Sequence, residues 1–262
     1  MYVCGFCFLA GRGCVLRLAR SCLAGLFFVA FALGSLLLGL LLFPVVLLLG
    51  TVPAARRRMR ALVRTTYRLF VWAACATGMI RVVISPEDRA RLGALKGCVV
   101  VSNHLTLIDI IILIAHLGDA TAIAKSAAAR NPFYARIVKS VFLVNDDPEG
   151  VLADAGELLR QGVNLIVFPE GTRTPADTVH RRLRRGAAQI ALAAACPVWA
   201  IRLTCDPPVL AKGQPWYDVG ARTIVYSLHV LGEVPPPSAA GARHAAAVAF
   251  TNQIEQMLFA QA

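Results

Sequence analysis

The sequence predicts an α/β fold, a layered and mostly parallel sheet flanked by helices, preceded by an N-terminal membrane helix or helical hairpin. Three observations support this prediction. The 262-residue chain has one long uncharged apolar segment near its start. After it, short apolar runs alternate with helical patterns, as expected for parallel strands joined by helices. Polar, turn-forming residues follow two of these runs, at the position where such sheets hold their sites.

The apolar segment predicts a membrane anchor. Residues 21–55 include no charged side chain, and residues 23–49 are mostly Leu, Phe, Val and Ala. About 20 apolar residues span a bilayer, and each central Leu, Ile, Phe or Val favours insertion by roughly 0.3–0.6 kcal/mol. The run is too long for the apolar part of an ordinary signal peptide, and an arginine cluster follows it. We therefore expect this segment to stay in the membrane.

The flanking charges predict its orientation. Arg12, Arg17 and Arg20 precede the segment, whereas six arginines follow it between residues 56 and 68. This bias places the larger C-terminal part on the cytoplasmic face of the inner (cytoplasmic) membrane. Pro44 either kinks a spanning helix or breaks it into a hairpin that returns. Residues 69–80 are too short to span and are predicted to lie in the interface, with the preceding arginines on anionic headgroups. The predicted division is an anchor over 1–80 and an α/β domain over 81–262.

The rest of the chain supplies the alternating elements. Strands are predicted over 98–102, 121–124, 164–168, 198–204 and 223–231. Helices are predicted over 107–116, 132–140, 148–161 and 184–195. Pro235, Pro236 and Pro237 end the core, and a last, partly amphipathic helix is predicted over 239–259. Strands that alternate with helices in this way favour a largely parallel sheet.

Net charge and cysteine content limit which classes of partner and which metal sites the sequence predicts. A net charge of +12 suits nucleic acid or an anionic membrane surface. The sequence has no nucleic-acid-binding motif, so membrane lipids are the predicted partner and nucleic acid is not. Cys4 and Cys7 form a C-x-x-C pair, but no second pair or His follows at zinc-ligand spacing. We expect no metal site, and we expect the eight cysteines to be reduced thiols.

The first chemical motif is Ser-Asn-His-Leu-Thr-Leu-Ile-Asp over 102–109, at the end of an apolar run. On one helix, His104 and Asp109 would point about 140° apart. They can meet if His104 lies in the turn and Asp109 on the helix that follows, which gives a histidine oriented by a carboxylate, as acyl transfer requires. A competing interpretation is a capping box, with Thr106 as N-cap and Asp109 at N3, which would draw the carboxylate away from the histidine.

The second motif is Phe-Pro-Glu-Gly-Thr-Arg over 168–173, directly after the apolar run 164–167. The sequence Pro-Glu-Gly predicts a sharp turn, and Gly171 lets backbone approach a ligand closely. Arg173 offers a planar fork suited to phosphate, and Thr172 offers a hydroxyl beside it. Taken alone, the motif is also compatible with an ordinary turn that carries a surface ion pair.

With both motifs present in this order, the chain resembles the glycerolipid acyltransferase family, typified by bacterial lysophosphatidic acid acyltransferases. The resemblance covers about 81–232 and implies that family's layered fold. It implies His104 as the general base that takes a proton from the acceptor, and Asp109 as the group that orients it. It also implies direct attack on a thioester of acyl carrier protein or coenzyme A, with no cofactor. The acceptor's polar head would be bound by four residues: Glu170, Gly171, Thr172 and Arg173.

The resemblance suggests two further basic contacts. Lys125 follows the run 121–124, where the family commonly has a lysine, and would contact the acceptor phosphate or the donor; a solvated lysine is the alternative. Arg185 precedes Gly186, where family members often carry a basic residue, and would contact the donor or the headgroup. The alternative for Arg185 is a basic rim on anionic lipid, shared with three neighbours: Arg181, Arg182 and Arg184.

The chain departs from the family pattern at Asn145, where an arginine is expected to hold the acceptor phosphate. Asp146 and Asp147 follow it and would repel a dianion. In a later motif, Ala200 replaces a proline beside Trp199, whose indole lines the acyl tunnel or, as we favour, fills the core.

The sequence therefore predicts a membrane-associated acyltransferase that moves an acyl chain from acyl carrier protein or coenzyme A to a lysophospholipid such as 1-acylglycerol-3-phosphate. Because of Asn145, the alternative is a specialised acyltransferase for another acceptor, such as an aminoacyl lipid, a glycolipid or a polyene-type lipid. A catalytically silent lipid or carrier binder on the same fold is a further alternative. The joint presence of His104, Asp109 and Glu170 argues against it.

Overall fold

The computed structural model describes residues 4–174, 178, 183–235 and 243–259. Some residues discussed above lie outside this part of the chain: Arg181, Arg182, Pro236, Pro237 and residues 239–242 of the predicted last helix. The side chains of residues 4–14, which include Cys4, Cys7 and Arg12, are likewise not described.

Within the described residues, seven strands form one sheet. They are β1 (Ile80–Ile84), β2 (Val99–Ser102), β3 (Ala120–Ala124), β4 (Leu143–Val144), β5 (Asn164–Val167), β6 (Val198–Asp206) and β7 (Ile224–Val234). Their order is β1-β7-β6-β2-β5-β3-β4. Every neighbouring pair is parallel except β6 and β7, which are antiparallel. The predicted layered, mostly parallel sheet is confirmed, although β1 and the short β4 were not predicted.

Helices cover both faces of this sheet. They are α1 (Cys4–Leu37), α2 (Phe43–Leu48), α3 (Val52–Ala76), α4 (Pro86–Ala94), α5 (Asp109–His116), α6 (Ser126–Arg130), α7 (Ala135–Val141), α8 (Pro148–Arg160), α9 (Gly186–Ala194) and α10 (Arg243–Phe259). Val100 of β2 packs into one apolar cluster, whereas its neighbours Val99 and Val101 pack into a second cluster on the other face. Because the central strands are buried on both faces of the sheet, they appear in the sequence as unbroken apolar runs. Of these helices, α4 and α6 were not predicted.

The apolar N-terminal segment is one nearly continuous helix. A π-helical turn, Leu38–Leu42, joins α1 to α2. The stretch Val15–Leu48 has a mean hydropathy of 2.7 in its most apolar 18-residue window and is long and apolar enough to cross a membrane by length and composition. Pro44 does not break it, because the proline lies in the first turn of α2, where its missing N–H costs little. The chain reverses later, at residues 49–51, and enters α3. The predicted hairpin therefore exists, but its turn is not at Pro44.

Helix α1 packs along the domain instead of standing away from it. Arg20 donates hydrogen bonds to the carbonyl oxygens of Gly78, Met79 and Gly220. Further along, Phe27 and Phe31 pack edge-on against Phe70 of α3, with ring centroids 5.4 and 5.8 Å apart. The outward face stays exposed and apolar, and includes Leu26, Leu33, Leu37 and Leu41.

The segment 69–80, which was predicted to lie in the membrane interface, belongs in part to the folded domain. It forms the end of α3 and the start of β1, and four of its apolar side chains are buried against the domain: Val71, Ala74, Met79 and Ile80. Only Leu69 and Trp72 remain as exposed large apolar side chains. Nor does Arg60 contact headgroups, because its guanidinium is buried and binds both carboxylate oxygens of Asp119, at 2.6 and 2.9 Å.

Candidate active site

The His104 and Asp109 side chains meet at the end of β2. Asn103, the first residue after the strand, is fixed to β6 because its amide donates to the Leu203 carbonyl oxygen (2.8 Å) and accepts from the Leu203 N–H (2.7 Å). The chain then turns, and α5 begins at Asp109. Nδ1 of His104 lies 2.9 Å from Oδ2 of Asp109. The predicted arrangement, with the histidine in the turn and the carboxylate on the helix, is therefore present.

The Asp109 carboxylate is fully buried and accepts four hydrogen bonds. Oδ2 accepts from His104 Nδ1 and from the backbone N–H groups of Leu105 (2.7 Å) and Thr106 (2.8 Å). Oδ1 accepts from the Thr106 hydroxyl. The expected competition between a capping box and the histidine contact was wrong, because Asp109 begins the helix and one carboxylate serves both the turn and the ring.

This network determines the state of the His104 ring. An ionised carboxylate can only accept, so Nδ1 carries the hydrogen and Nε2 keeps a lone pair for an incoming proton. The ring stacks on Phe168 with centroids 4.2 Å apart and an interplanar angle of 16°. Its side chain is 21% exposed and borders a large cavity. A base held in this way is oriented by two neighbours and remains accessible to a substrate.

The Phe-Pro-Glu-Gly-Thr-Arg turn holds the backbone of His104. Oε1 of the buried Glu170 accepts from the His104 N–H at 2.9 Å, and the Thr174 N–H donates to the His104 carbonyl oxygen at 2.8 Å. Gly171 has φ +66°, and a Cβ there would lie 2.6 Å from Nε of Arg184. Glycine is thus required both by the backbone conformation and by the arginine packed on the turn.

The cavity beside His104 has a volume of about 1200 Å³. One part of its wall is aromatic and comes from α1 and α3: Phe27, Phe28, Phe31, Tyr67 and Phe70. Another part is aliphatic and comes from the opposite face of the sheet: Ile123, Val151, Leu152 and Ile190. Basic side chains also border it: Lys125, Arg173, Arg184 and Lys212. The space therefore suits a long apolar chain that ends in an anionic or polar group.

Comparisons with known proteins agree with this geometry. A family model described as Acyltransferase matches residues 81–204. A probable 1-acyl-sn-glycerol-3-phosphate acyltransferase of Mycoplasma pneumoniae is 29% identical over 147 residues, which is 52% of this chain and 53% of that protein. A 1-acyl-sn-glycerol-3-phosphate acyltransferase of Pseudomonas aeruginosa is 23% identical over 188 residues, 69% of this chain and 72% of that protein. The family model covers a little under half of the chain and both relatives are less than 30% identical, so these comparisons show a similarity to acyltransferases.

The fold likeness extends over almost the whole chain. The crystal structure of the 1-acyl-sn-glycerophosphate (LPA) acyltransferase PlsC from Thermotoga maritima superposes with a TM-score of 0.61 at 20% identity, and covers 93% of this chain and 99% of that one. In sequence, by contrast, this chain spans only about half the length of the Mycoplasma relative, 53%.

The side chains of the predicted substrate-binding residues are not all equally available to a ligand. Gly171, Thr172, Arg173 and Lys125 border the cavity with His104. Arg173 is partly engaged, because its Nη1 donates to the carbonyl oxygens of Leu210 (2.8 Å) and Ala211 (3.3 Å). Glu170 uses Oε1 on the His104 backbone, while its buried Oε2 has no hydrogen-bond partner among the described residues.

The structure separates two adjacent arginines that the sequence could not distinguish. Arg185 does not border the cavity among the described residues; its Nη1 donates to Nε2 of His244 at 2.8 Å. Arg184 borders the cavity and packs on Gly171. Nothing in the sequence distinguishes the two, because the space over Gly171 that Arg184 fills exists only in the folded turn.

The residues that depart from the family pattern have distinct surroundings. Asn145 borders the cavity. Asp146 accepts from the Ser126 hydroxyl, and Asp147 caps the N-terminus of α8 by accepting from the Glu149 N–H at 3.1 Å. Neither aspartate is among the described residues that border the cavity, although the acidic Glu149 is, and the repulsion of a dianion by this segment stays a prediction.

Two further expectations concern Trp199 and metals. The Trp199 side chain packs against the apolar core and is not among the described residues that border the cavity, which favours the core interpretation. Among the described residues, no group of three or more His, Cys, Asp or Glu side chains is placed to hold a metal ion.

Proposed function

We propose that this chain transfers an acyl group from a thioester donor to a hydroxyl of a lysophospholipid such as 1-acylglycerol-3-phosphate. The observation that carries the proposal is the His104–Asp109 pair, with Nδ1 and Oδ2 at 2.9 Å, at the border of an apolar cavity of about 1200 Å³. The names of the relatives from Mycoplasma pneumoniae and Pseudomonas aeruginosa support the same substrate class.

In the proposed reaction, Nε2 of His104 takes the proton from the acceptor hydroxyl. The acceptor oxygen then forms a bond to the thioester carbonyl carbon, and the C–S bond breaks as the tetrahedral intermediate collapses. The leaving thiolate is protonated by the imidazolium, which returns His104 to its neutral form. Asp109 stabilises that imidazolium while the charge exists.

The polar head of the acceptor would lie among the basic side chains at the cavity, with Arg184 and Arg173 nearest to the Glu170–Gly171 turn. Arg184 is the stronger candidate for a phosphate contact, because part of the Arg173 guanidinium already binds carbonyl oxygens. Acyl carrier protein is acidic, and coenzyme A carries phosphates. Either donor would therefore be attracted by the net charge of +12.

The membrane contact would come from the exposed face of α1 and α2. Because α1 is bonded to the domain at Arg20 and packs on α3 through Phe31, we propose that it lies in the interface alongside the domain. A helix that crosses the bilayer would leave the domain instead. The cytoplasmic face is assigned from the arginine bias.

Asn145 supports a second candidate. At the cavity border it offers an amide where a phosphate contact would need a cation. An acceptor with a neutral or amine-bearing head would fit this substitution better than a phosphate monoester.

Acyl transfer by the purified full chain in detergent tests both candidates. Acyl carrier protein or coenzyme A thioesters would be offered with lysophosphatidate, other lysophospholipids, aminoacyl lipids and glycolipids. His104→Ala is compared with His229→Ala, which removes an exposed histidine of β7. Product on lysophosphatidate that only His104→Ala abolishes supports the first candidate. Product confined to another acceptor supports the second. A folded, lipid-binding protein that transfers from no donor refutes both and leaves a silent binder.

A further inference from the structure

A buried tyrosine lies behind the His104–Asp109 pair. Tyr226, on β7, is fully buried, and its hydroxyl lies 3.3 Å from Oγ1 of Thr106. Thr106 is buried as well, and its hydroxyl contacts Oδ1 of Asp109. Four side chains thus form one continuous line from the interior of the sheet to the cavity: Tyr226, Thr106, Asp109 and His104.

The direction of every hydrogen in this line follows from chemistry. The Asp109 carboxylate has no hydrogen to give, so Thr106 must donate its single hydroxyl hydrogen to Oδ1. The Thr106 oxygen is then only an acceptor toward Tyr226, and the phenol must donate. From the other end, His104 donates through Nδ1. The carboxylate therefore receives hydrogen bonds from both sides, and the hydrogen on His104 is kept at Nδ1 and away from the reacting Nε2.

We propose that Thr106 and Tyr226 are positioning residues for acyl transfer: together they hold the Asp109 carboxylate and thereby set the orientation and proton affinity of His104. This inference rests on the proposed function for its effect on rate, but its effect on the histidine can be measured without any substrate. The phenol polarises the threonine hydroxyl, which strengthens the bond to the carboxylate.

The neighbouring groups keep the phenol in the donating state. Burial raises the pKa of Tyr226 well above its usual value, so it stays protonated at any working pH. Cys205, its registered partner on β6, shares a second hydrogen bond with the phenol and is itself neutral, because burial raises the pKa of its thiol. On the other side, β1 presents the apolar Val82 in register. Among these neighbours, Asp109 is therefore the one charged group, and the hydroxyls of Tyr226 and Thr106 both donate in its direction.

The rate test is a double-mutant cycle on the full chain. Tyr226→Phe removes a neutral hydrogen bond and is expected to lower kcat about twofold to tenfold. Thr106→Val removes a bond to a charged group and is expected to lower it about 10- to 100-fold, with recovery in Thr106→Ser. In the Thr106→Val background, Tyr226→Phe should change kcat by less than about twofold, because the connection is already broken. The exposed Tyr217→Phe is the matched control. A full, independent Tyr226 effect in the Thr106→Val background would overturn the inference in favour of packing.

A second measurement does not need activity. The ¹⁵N resonances of the His104 ring, assigned by their loss in His104→Ala, report which nitrogen carries hydrogen and where the ring titrates. The wild type should show hydrogen on Nδ1. Loss of a donor makes the Asp109 carboxylate more basic, so Thr106→Val should move the titration midpoint of His104 to higher pH, and Tyr226→Phe should move it less in the same direction. Unchanged midpoints in both variants would overturn the inference. Shifted midpoints in a protein that transfers no acyl group would retain it while refuting the proposed function.

Discussion

Asp109→Asn tests the charge of the buried carboxylate separately from its shape. Oδ2 receives three hydrogen bonds, from the His104 ring and from the backbone N–H groups of Leu105 and Thr106. The amide oxygen of asparagine must take that position, since an NH₂ group there would face three donors. The NH₂ group then occupies the Oδ1 position, where the Thr106 hydroxyl can rotate to accept from it. The turn and the histidine orientation are therefore retained, and the negative charge is lost.

The expected loss of activity follows from that charge. Without it, the imidazolium that forms during proton transfer has no anionic partner in a buried site, and its stabilisation falls by about 4–5 kcal/mol, or about 10³- to 10⁴-fold in kcat. Stability should change by only about 1 kcal/mol, because weaker hydrogen bonds are offset by the removed cost of burying a charge.

The assay follows thiol release from an acyl-thioester donor with a saturating acceptor, and thermal unfolding is measured on the same samples. Asp154→Asn, an exposed position on α8, is the matched control and should retain full activity. A folded Asp109→Asn protein that keeps more than about a tenth of wild-type kcat would refute the assignment of Asp109 as the partner of a charged intermediate.

Three further predictions concern other parts of the chain. Gly171→Ala places a Cβ 2.6 Å from Nε of Arg184 at a backbone φ of +66°. The strain, about 1–3 kcal/mol, should lower the unfolding temperature, and the displaced arginine should lower kcat/KM for an anionic acceptor. An unchanged kcat/KM would contradict the role of Arg184. Asp119→Ala leaves the buried Arg60 without its partner. Because the Asp119 side chain is 32% exposed, we expect the free energy of unfolding in urea to fall by about 2 kcal/mol and to be partly restored when Arg60→Met is added. No restoration would contradict the ion-pair explanation. Leu33→Asp on the exposed face of α1 removes apolar contact and adds like charge, so it should weaken cosedimentation with anionic vesicles without loss of activity on detergent-dispersed acceptor. Equal vesicle binding would show that this face does not contact lipid.

The sequence predicted most of the sheet and the contact between His104 and Asp109, because both depend on local pattern. The central strands are buried on two sides and appear as short apolar runs, and the pair requires only a strand end followed by a helix start. For the segment 69–80 a local pattern was not sufficient, because an apolar run indicates burial but does not indicate whether lipid or protein covers it. β1 was missed because it directly follows α3 without a long loop, and β4 because two residues make no pattern.

Details that depend on tertiary contacts could not be predicted. Which of two consecutive arginines faces the cavity is decided by the space above Gly171, which exists only after the turn has formed. Likewise, the role of Glu170 toward the His104 backbone joins residues far apart in the chain. The structure also shows that the Asp109 carboxylate binds both the His104 ring and the Thr106 turn, two contacts that seemed exclusive when only spacing was considered.

The position of β1 has a consequence for how the protein is made. This strand pairs only with β7, in register from Ile80 with Ile224 to Ile84 with Leu228. The ribosome therefore completes the apolar helices and β1 long before the partner strand exists, and the same delay applies to the bond from Arg20 to Gly220. During this interval the lipid bilayer is the available apolar surroundings for α1 and α2. The helices α1 and α2 would thus reach the membrane before β7 pairs with β1. Until then, their insertion would keep out of water the apolar surface that the finished domain later covers.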